Sequence, residues 1–147
     1  MSEYNNSGEG WQNPSPDKLR ELLKKAKTVA VVGLSSNPER ASHGVARYLQ
    51  EHGYHIIPVN PKEAEVLGEK AYHDLKSIPV PVDIVDVFRS PDAALSITEE
   101  AIAIGAAAVW LQESVVSTDA FMRGEEAGLI MVMDRCIYKE HVRLIQL

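Results

Sequence analysis

The stretch that decides the fold of this chain is VAVVGLSSNPERASHGVARYLQEHG, from Val29 to Gly53. Its apolar β-formers end at Gly33, and a polar turn that contains serine, proline and arginine follows. Apolar residues then return at helical spacing, as at Val45 and Leu49. A helix that begins after such a turn presents unpaired backbone N–H groups and the positive end of its dipole. The stretch therefore predicts a strand, a turn and a helix, with a phosphate group bound at the turn.

The composition is that of an ordinary globular domain. The 147 residues suffice for one domain with a normal core, and 45% of them are hydrophobic and 24% charged. The net charge of −6 disfavours broad attraction to nucleic acid or to an anionic membrane. No apolar run approaches the roughly 20 residues that a membrane span needs. We therefore expect local donors to hold any anionic ligand, and we expect neither nucleic acid nor a membrane as a partner.

The start of the chain and its one cysteine indicate the compartment. Residues 1–14 are polar and are predicted to form a flexible lead, with Trp11 on the domain surface, before a single domain at residues 15–147. The lead lacks the basic and apolar regions of a secretory signal. Cys136 has no cysteine partner in the chain, which agrees with a reducing compartment. These features predict a cytoplasmic protein.

Apolar runs of β-forming residues alternate with helical patterns along the chain. Ser15 is the expected N-cap of the first helix, Ser42 that of the second, and residues 62–66 are expected to form a short helical turn. Strands that alternate with helices predict an α/β protein with a doubly wound parallel sheet of about five strands. The expected fold is Rossmann-like, with three layers, α/β/α. The expected strands are about Thr28–Leu34, Tyr54–Val59, Val82–Phe88, Ala107–Leu111 and Leu129–Met133.

Ligands of such a sheet bind outside the carboxyl ends of the strands, so the residues that follow each strand are candidates for the site. Their hydroxyls, amides and cations suit a ligand that carries phosphate. Some have a second interpretation, because Gly33 also fits a tight turn, Arg40 a surface position and His43 a solvated one. The candidates are Gly33, Ser35, Ser36, Arg40, Ser42, His43, Asn60, Pro61, Lys62, Phe88, Arg89 and Gln112.

Sequence motifs narrow the class of nucleotide. The dinucleotide fingerprint G-x-G-x-x-G and the Walker pattern are both absent, which disfavours NAD and the hydrolysis of ATP. The second strand ends in Asn60, Pro61 and Lys62, where a NAD site has an acidic residue that binds the ribose hydroxyls. Lys62 can instead meet an additional phosphate. The residues therefore leave two ligands open, NADP and the 3′-phosphorylated ADP that forms the nucleotide half of coenzyme A.

Several motifs, taken in order, resemble those of a known family. The turn GLSSNPERASHGVARYLQEHGY, the segment IIPVNPK, the strand and turn VDIVDVFR, the strand VWLQ and the terminal VMDRC are similar to those of small, single-domain CoA-binding proteins. That family is related to the CoA-binding domain of succinyl-CoA synthetase α subunits. The resemblance covers roughly Thr28 to the C-terminus. It implies a Rossmann-like fold in which the CoA nucleotide lies across the carboxyl edge of the sheet.

The resemblance also implies roles for the turn after the first strand. Gly33, Ser35 and Ser36 would line this turn, and Arg40 and Ser42 would hold phosphates. The pyrophosphate of CoA is therefore expected at the start of the second helix.

The other half of the implied site follows the second and third strands. Asn60, Pro61 and Lys62 would border the adenosine and its 3′-phosphate, and Phe88 and Arg89 would form the next wall. The two halves together are expected to hold the CoA nucleotide.

Two positions near the last strands stand apart from this pattern. Ser114 occupies a place where members of the family often have glycine, so its side chain is expected to narrow the pocket near the fourth strand. Cys136 follows the fifth strand and is expected to be either a small core residue or a thiol close to that of CoA.

No constellation of residues predicts a catalytic step. The histidines lack metal-ligand spacing, and no nucleophile elbow occurs. The leading hypothesis is a non-catalytic or regulatory protein that binds CoA or acyl-CoA through its nucleotide and pyrophosphate. Two alternatives remain: an NADP-linked oxidoreductase that uses the same cleft, and a CoA sensor that signals to a protein partner.

Overall fold

A computed structural model describes residues 11–146 of the chain. Within them a parallel sheet has the strand order β2-β1-β5-β6-β7, and a separate antiparallel hairpin is formed by β3 and β4. The strands are β1 (Thr28–Val32), β2 (His55–Val59), β3 (Glu65–Val66), β4 (Glu69–Lys70), β5 (Ile84–Val87), β6 (Ala108–Leu111) and β7 (Ile130–Val132). The helices are α1 (Pro16–Lys25), α2 (Ala41–Glu51), α3 (Ala94–Ala103), α4 (Thr118–Glu126) and α5 (Ile137–His141), which continues as a π-helical turn, Val142–Gln146.

The order of the strands confirms the predicted doubly wound α/β fold. β1 pairs in parallel with both β2 and β5, so the chain moves outward in one direction after β1 and in the other direction after β2. This reversal opens a crevice at the carboxyl ends of β1 and β5, which is where doubly wound sheets bind their ligands.

Both faces of the sheet are buried, which explains why the first strand is an almost unbroken run of valine. Val29 and Val31 point into a core shared with α1, α2 and α5. Ala30 and Val32 point into a second core shared with α3 and α4. Helices therefore cover both faces, and the three layers α/β/α are confirmed.

The packed part of the chain begins before Ser15. Trp11 is only 5% exposed and its ring lies 5.6 Å from that of Phe121. The side chain of Asn13 donates to the Met133 carbonyl and accepts from the Met133 N–H, both at 2.9 Å. Residues 11–14 are thus packed against the domain beyond the end of β7 and do not form part of a flexible lead. The rest of the predicted lead, residues 1–10, lies outside the described residues.

Two local predictions were wrong. The expected helical turn at residues 62–66 is replaced by the hairpin of β3 and β4, because the two-residue turn at Leu67 and Gly68 reverses the chain. Ser42 is not the N-cap of α2, since the cap position is Arg40 and no side chain caps this helix. By contrast, Ser15 caps α1 as predicted, accepting from the Lys18 N–H at 3.2 Å.

Candidate functional site

A polar cavity of about 390 Å³ lies at the carboxyl edge of the sheet, beside the ends of β1 and β5. The turn after β1, the start of α2 and the loop after β2 surround it. Most of the residues that the sequence analysis selected meet here. The lining residues are Gly33, Ser35, Arg40, Ala41, Ser42, Asn60, Lys62, Glu63 and Phe88.

Gly33 lets the chain leave β1 in a very confined space. Its φ is +90°, and a Cβ atom at this position would lie 2.4 Å from the Phe88 carbonyl oxygen. Its N–H donates to the Val59 carbonyl at 2.8 Å, so the turn is tied to β2 as well. A side chain is therefore excluded both by backbone conformation and by the approach of the neighbouring strand.

The turn that follows is shaped by its own side chains. The Ser42 hydroxyl accepts from the Ser35 N–H at 3.1 Å, which joins the turn to the first turn of α2. The Ser35 hydroxyl accepts from the Asn37 N–H at 3.0 Å, and the Asn37 side chain accepts from the Glu39 N–H at 2.9 Å. Ser42 is 5% exposed, and through this hydrogen bond it holds the loop on the helix.

Two cationic side chains line the cavity, and they come from different segments of the chain. Arg40 immediately precedes α2, and Lys62 lies on the loop after β2. Among the described residues, neither side chain has an ion pair with a carboxylate within 4.0 Å. The first N–H groups of α2, at Ala41 and Ser42, have no acceptor within the helix. The cavity therefore offers positive charge and N–H donors to an anion.

Asn60 connects the two loops that carry these cations. Its side-chain amide donates to the Leu34 carbonyl at 3.0 Å, and its side-chain oxygen accepts from the Lys62 N–H at 3.0 Å. Asn60 thus positions Lys62 and the turn after β1, in addition to lining the cavity.

Two lining residues, Ala41 and Glu63, were not predicted from the sequence, and of these Glu63 carries a charge. Its carboxylate accepts from the Ser36 N–H at 2.9 Å, which brings Ser36 to the edge of the cavity without making it a lining residue. The interpretation of residues 62–66 as a helical turn concealed this contact. Only the position of Glu63 beside Lys62, after the second strand, could have indicated it.

Pro61 and Arg89 belong to a neighbouring space. They line a cavity of about 80 Å³ on the α3 side of the sheet, together with His73 and Glu100. The Arg89 side chain also passes over Gly33, since its Cδ atom lies 3.1 Å from where a Cβ of Gly33 would be. Arg89 therefore lies between the two cavities.

His43, Gln112 and Cys136 do not line the polar cavity. His43 is half-buried in the first turn of α2, and Cys136 lies in the core on the α2 side of the sheet. Gln112 is 5% exposed, and its side-chain oxygen accepts from the Ile137 N–H at 3.2 Å, at the start of α5. Its position after a strand indicated a ligand contact, but in the structure this oxygen caps a helix.

Ser114 adopts the left-handed conformation that favours glycine, with φ of +71°. Asp134 also has a positive φ, of +59°, and its carboxylate accepts from the Ser114 N–H at 2.8 Å. Ser114 is exposed and does not line the polar cavity. The backbone therefore keeps a glycine-like turn here although the residue is serine.

An acidic side chain, Asp86, is buried in the sheet two residues before the cavity-lining Phe88. Asp86 is in β5, on the same face of the strand as Ile84 and Phe88, and pairs in register with Val31 and Trp110. Its carboxylate is fully buried, and neither oxygen has a hydrogen-bond partner among the described residues. Burial raises the pKa of Asp86 well above its usual range.

Within residues 11–146, no group of three or more His, Cys, Asp or Glu side chains could hold a metal ion. The same part of the chain contains no helix that is both long and apolar enough to cross a membrane.

Fold and cavity together define an α/β protein whose switch point carries a polar crevice lined by cations and N–H donors. The sequence model of the CoA binding domain matches residues 27–142, and the chain belongs to this CoA-binding domain family. The resemblance noted from the motifs is thereby confirmed.

Similar proteins extend over most of the chain. The uncharacterized protein YneT of Bacillus subtilis (strain 168) is 43% identical over 130 residues, which are 88% of this chain and 96% of YneT. A solved structure of a hypothetical protein from Pyrococcus horikoshii OT3 has 40% identity and a TM-score of 0.89, and the match covers 99% of both chains. The α subunit of an ADP-forming acetate–CoA ligase from Pyrococcus furiosus is 42% identical over 57 residues, 38% of this chain and 12% of that subunit.

Proposed function

We propose that this protein binds coenzyme A, free or as an acyl-CoA, through its phosphates at the polar cavity. The observation that carries the proposal is the pair Arg40 and Lys62, two cations on different loops that line one cavity and have no carboxylate partner among the described residues. Membership of the CoA-binding domain family supports the identity of the ligand. The similarity of part of this chain to a subunit of an enzyme named as an acetate–CoA ligase also supports CoA as the ligand.

The proposed binding mode assigns the two charges to two parts of the ligand. Arg40 and the first N–H groups of α2 hold the pyrophosphate, because a guanidinium beside a helix start can donate several hydrogen bonds to it. Lys62 meets the 3′-phosphate at the end of β2, where an NAD site would have a carboxylate. Gly33 and Phe88 form the floor on which the nucleotide lies.

The remaining predicted residues lie at the margins of this arrangement. Ser36 is at the edge of the cavity, and Pro61 and Arg89 are next to it on the α3 side. Contacts of these residues with the ligand are part of the proposal, whereas His43 and Gln112 would reach it only after rearrangement.

We propose binding without a catalytic step, in a regulatory or carrier role. Hydrogen-bond donors, two cations and the carboxylate of Glu63 line the cavity, and none of the chain's histidines does. The same donors would also accommodate the additional phosphate of NADP, so an NADP-linked oxidoreductase is the alternative to exclude.

The test is calorimetric titration of the purified protein with CoA, dephospho-CoA and NADPH. We expect CoA to bind and dephospho-CoA, which lacks the 3′-phosphate that Lys62 would meet, to bind more weakly. Mass spectrometry of the protein under denaturing conditions should also detect CoA retained through purification. Heat with NADPH and none with CoA would overturn the proposal in favour of the oxidoreductase.

A further inference from the structure

Glu63 places a negative charge in a cavity whose other charged lining groups are cations. It lines the cavity together with Arg40 and Lys62, and it is half-buried. Its carboxylate accepts from the Ser36 N–H at 2.9 Å, and its own N–H donates to the Asn60 carbonyl at 3.2 Å. The side chain therefore links the loop after β2 to the turn after β1 across the edge of the cavity.

This contact has the chemistry of an anion-binding site that is already filled. A carboxylate oxygen at a backbone N–H makes the same kind of charge-assisted hydrogen bond as a phosphate oxygen. The Ser36 N–H belongs to the turn that would face the phosphates of CoA. Two anions that approach one N–H repel each other, and the repulsion is stronger in a partly buried cavity than in water.

We propose that Glu63 is an internal anion that holds the turn after β1 when no ligand is bound, and that a phosphate of CoA displaces it from the Ser36 N–H. This inference rests on the proposed function. Glu63 thereby lowers the affinity for CoA, because binding must break its contact with Ser36. It also gives the turn after β1 two arrangements, one held by Glu63 and one held by the ligand.

A pair of charge-matched variants tests this role. Glu63→Gln keeps the size of the side chain and removes its charge. Glu65→Gln makes the same change two residues away, on an exposed side chain in β3 that does not line the cavity. A neutral acceptor is the weaker partner for the Ser36 N–H, so we expect Glu63→Gln to bind CoA roughly three- to tenfold more tightly than the wild type. Glu65→Gln should stay within about twofold of it.

The amide resonance of Ser36 provides a second readout that reports the contact itself. We expect it to shift in Glu63→Gln and, in the wild type, to shift when CoA is added, while Glu65→Gln leaves it unchanged. If the wild type binds CoA and Glu63→Gln binds equally or more weakly, the role of Glu63 is overturned and the proposed function stands. If neither the wild type nor the two variants bind CoA, the proposed function fails and the inference fails with it.

Discussion

Gly33 lies where two independent constraints exclude a side chain. Its φ of +90° disfavours every residue with a Cβ atom, and that atom would also meet the Phe88 carbonyl at 2.4 Å. Gly53, after α2, offers a matched comparison, because its φ is +94° and nothing lies within 4 Å of the corresponding position. The two glycines therefore separate the cost of conformation from the cost of the clash.

We expect Gly53→Ala to lower the free energy of unfolding by about 1–2 kcal/mol, the usual penalty of the left-handed region. Gly33→Ala should cost at least about 1 kcal/mol more, because the backbones of β1 and β5 must also move apart. Urea denaturation of both variants measures the difference. Equal losses in the two variants would show that the approach of Phe88 to Gly33 is unimportant.

Other single residues show what a sequence conceals at this scale. The positions of Gly33, Lys62 and Phe88 after strands, and that of Arg40 beside the start of a helix, were enough to predict that they would meet. By contrast, Gln112 also follows a strand, yet its side-chain oxygen accepts from the Ile137 N–H at the start of α5. Such partners come from distant parts of the chain, so a local pattern cannot identify them.

Among the elements, α2 contributes its cap residue and its first turn to the proposed site. It begins beside the cavity with no side-chain cap, and Arg40 occupies its cap position. Arg47 lies further along the same helix, where it pairs with Glu51 at 3.2 Å and does not line the cavity. One helix therefore carries both a proposed ligand contact and a surface arginine.

We expect Arg40→Ala to weaken CoA binding by about 1.5–3 kcal/mol, the range for a hydrogen bond to a charged group. Arg47→Ala removes the same charge without touching the cavity, and it should leave the affinity within about 0.5 kcal/mol of the wild type. Calorimetric titration with CoA measures both effects. If the two variants bound CoA with the same affinity, only the overall charge would affect binding, and Arg40 would not be a contact of the ligand.

The helices and the strands of the five-stranded sheet were predictable, because the spacing of their apolar residues follows from burial on one or both faces. The hairpin of β3 and β4 was not, since strands of two residues carry no usable periodicity and only the turn at Leu67 and Gly68 marks them. The attachment of residues 11–14 was also missed. It depends on Asn13, whose paired hydrogen bonds with Met133 join positions far apart in the sequence.

At the scale of the whole molecule, the sheet buries one carboxyl group among apolar side chains. The site and the core share β5, since Phe88 after its end lines the cavity while Asp86 within it is enclosed. Neither oxygen of Asp86 has a hydrogen-bond partner among the described residues, so its charged form would be strongly disfavoured in the folded protein. The protonation of Asp86 should therefore affect the stability of the entire fold.

The raised pKa of Asp86 sets the sign of this effect. Between the ordinary pKa of an aspartate, about 4, and the higher pKa in the folded protein, the native state keeps a proton that the unfolded chain releases. The free energy of unfolding therefore falls as the pH rises through this window. Asp86→Asn has a neutral side chain of similar shape at every pH, so it lacks this contribution.

We expect the wild type to lose stability relative to Asp86→Asn as the pH is raised from 5 to 8, by about 1.4 kcal/mol for each pH unit within the window. Urea denaturation of both proteins across this range measures the difference, and the other titrating groups cancel because the two chains share them. The decisive quantity is how the difference in free energy of unfolding changes with pH. Its absolute value is not decisive, since burial of the variant's amide costs free energy at every pH. A difference that is constant with pH would mean that Asp86 keeps an ordinary pKa, and that solvent or a partner group reaches this carboxylate beneath the site.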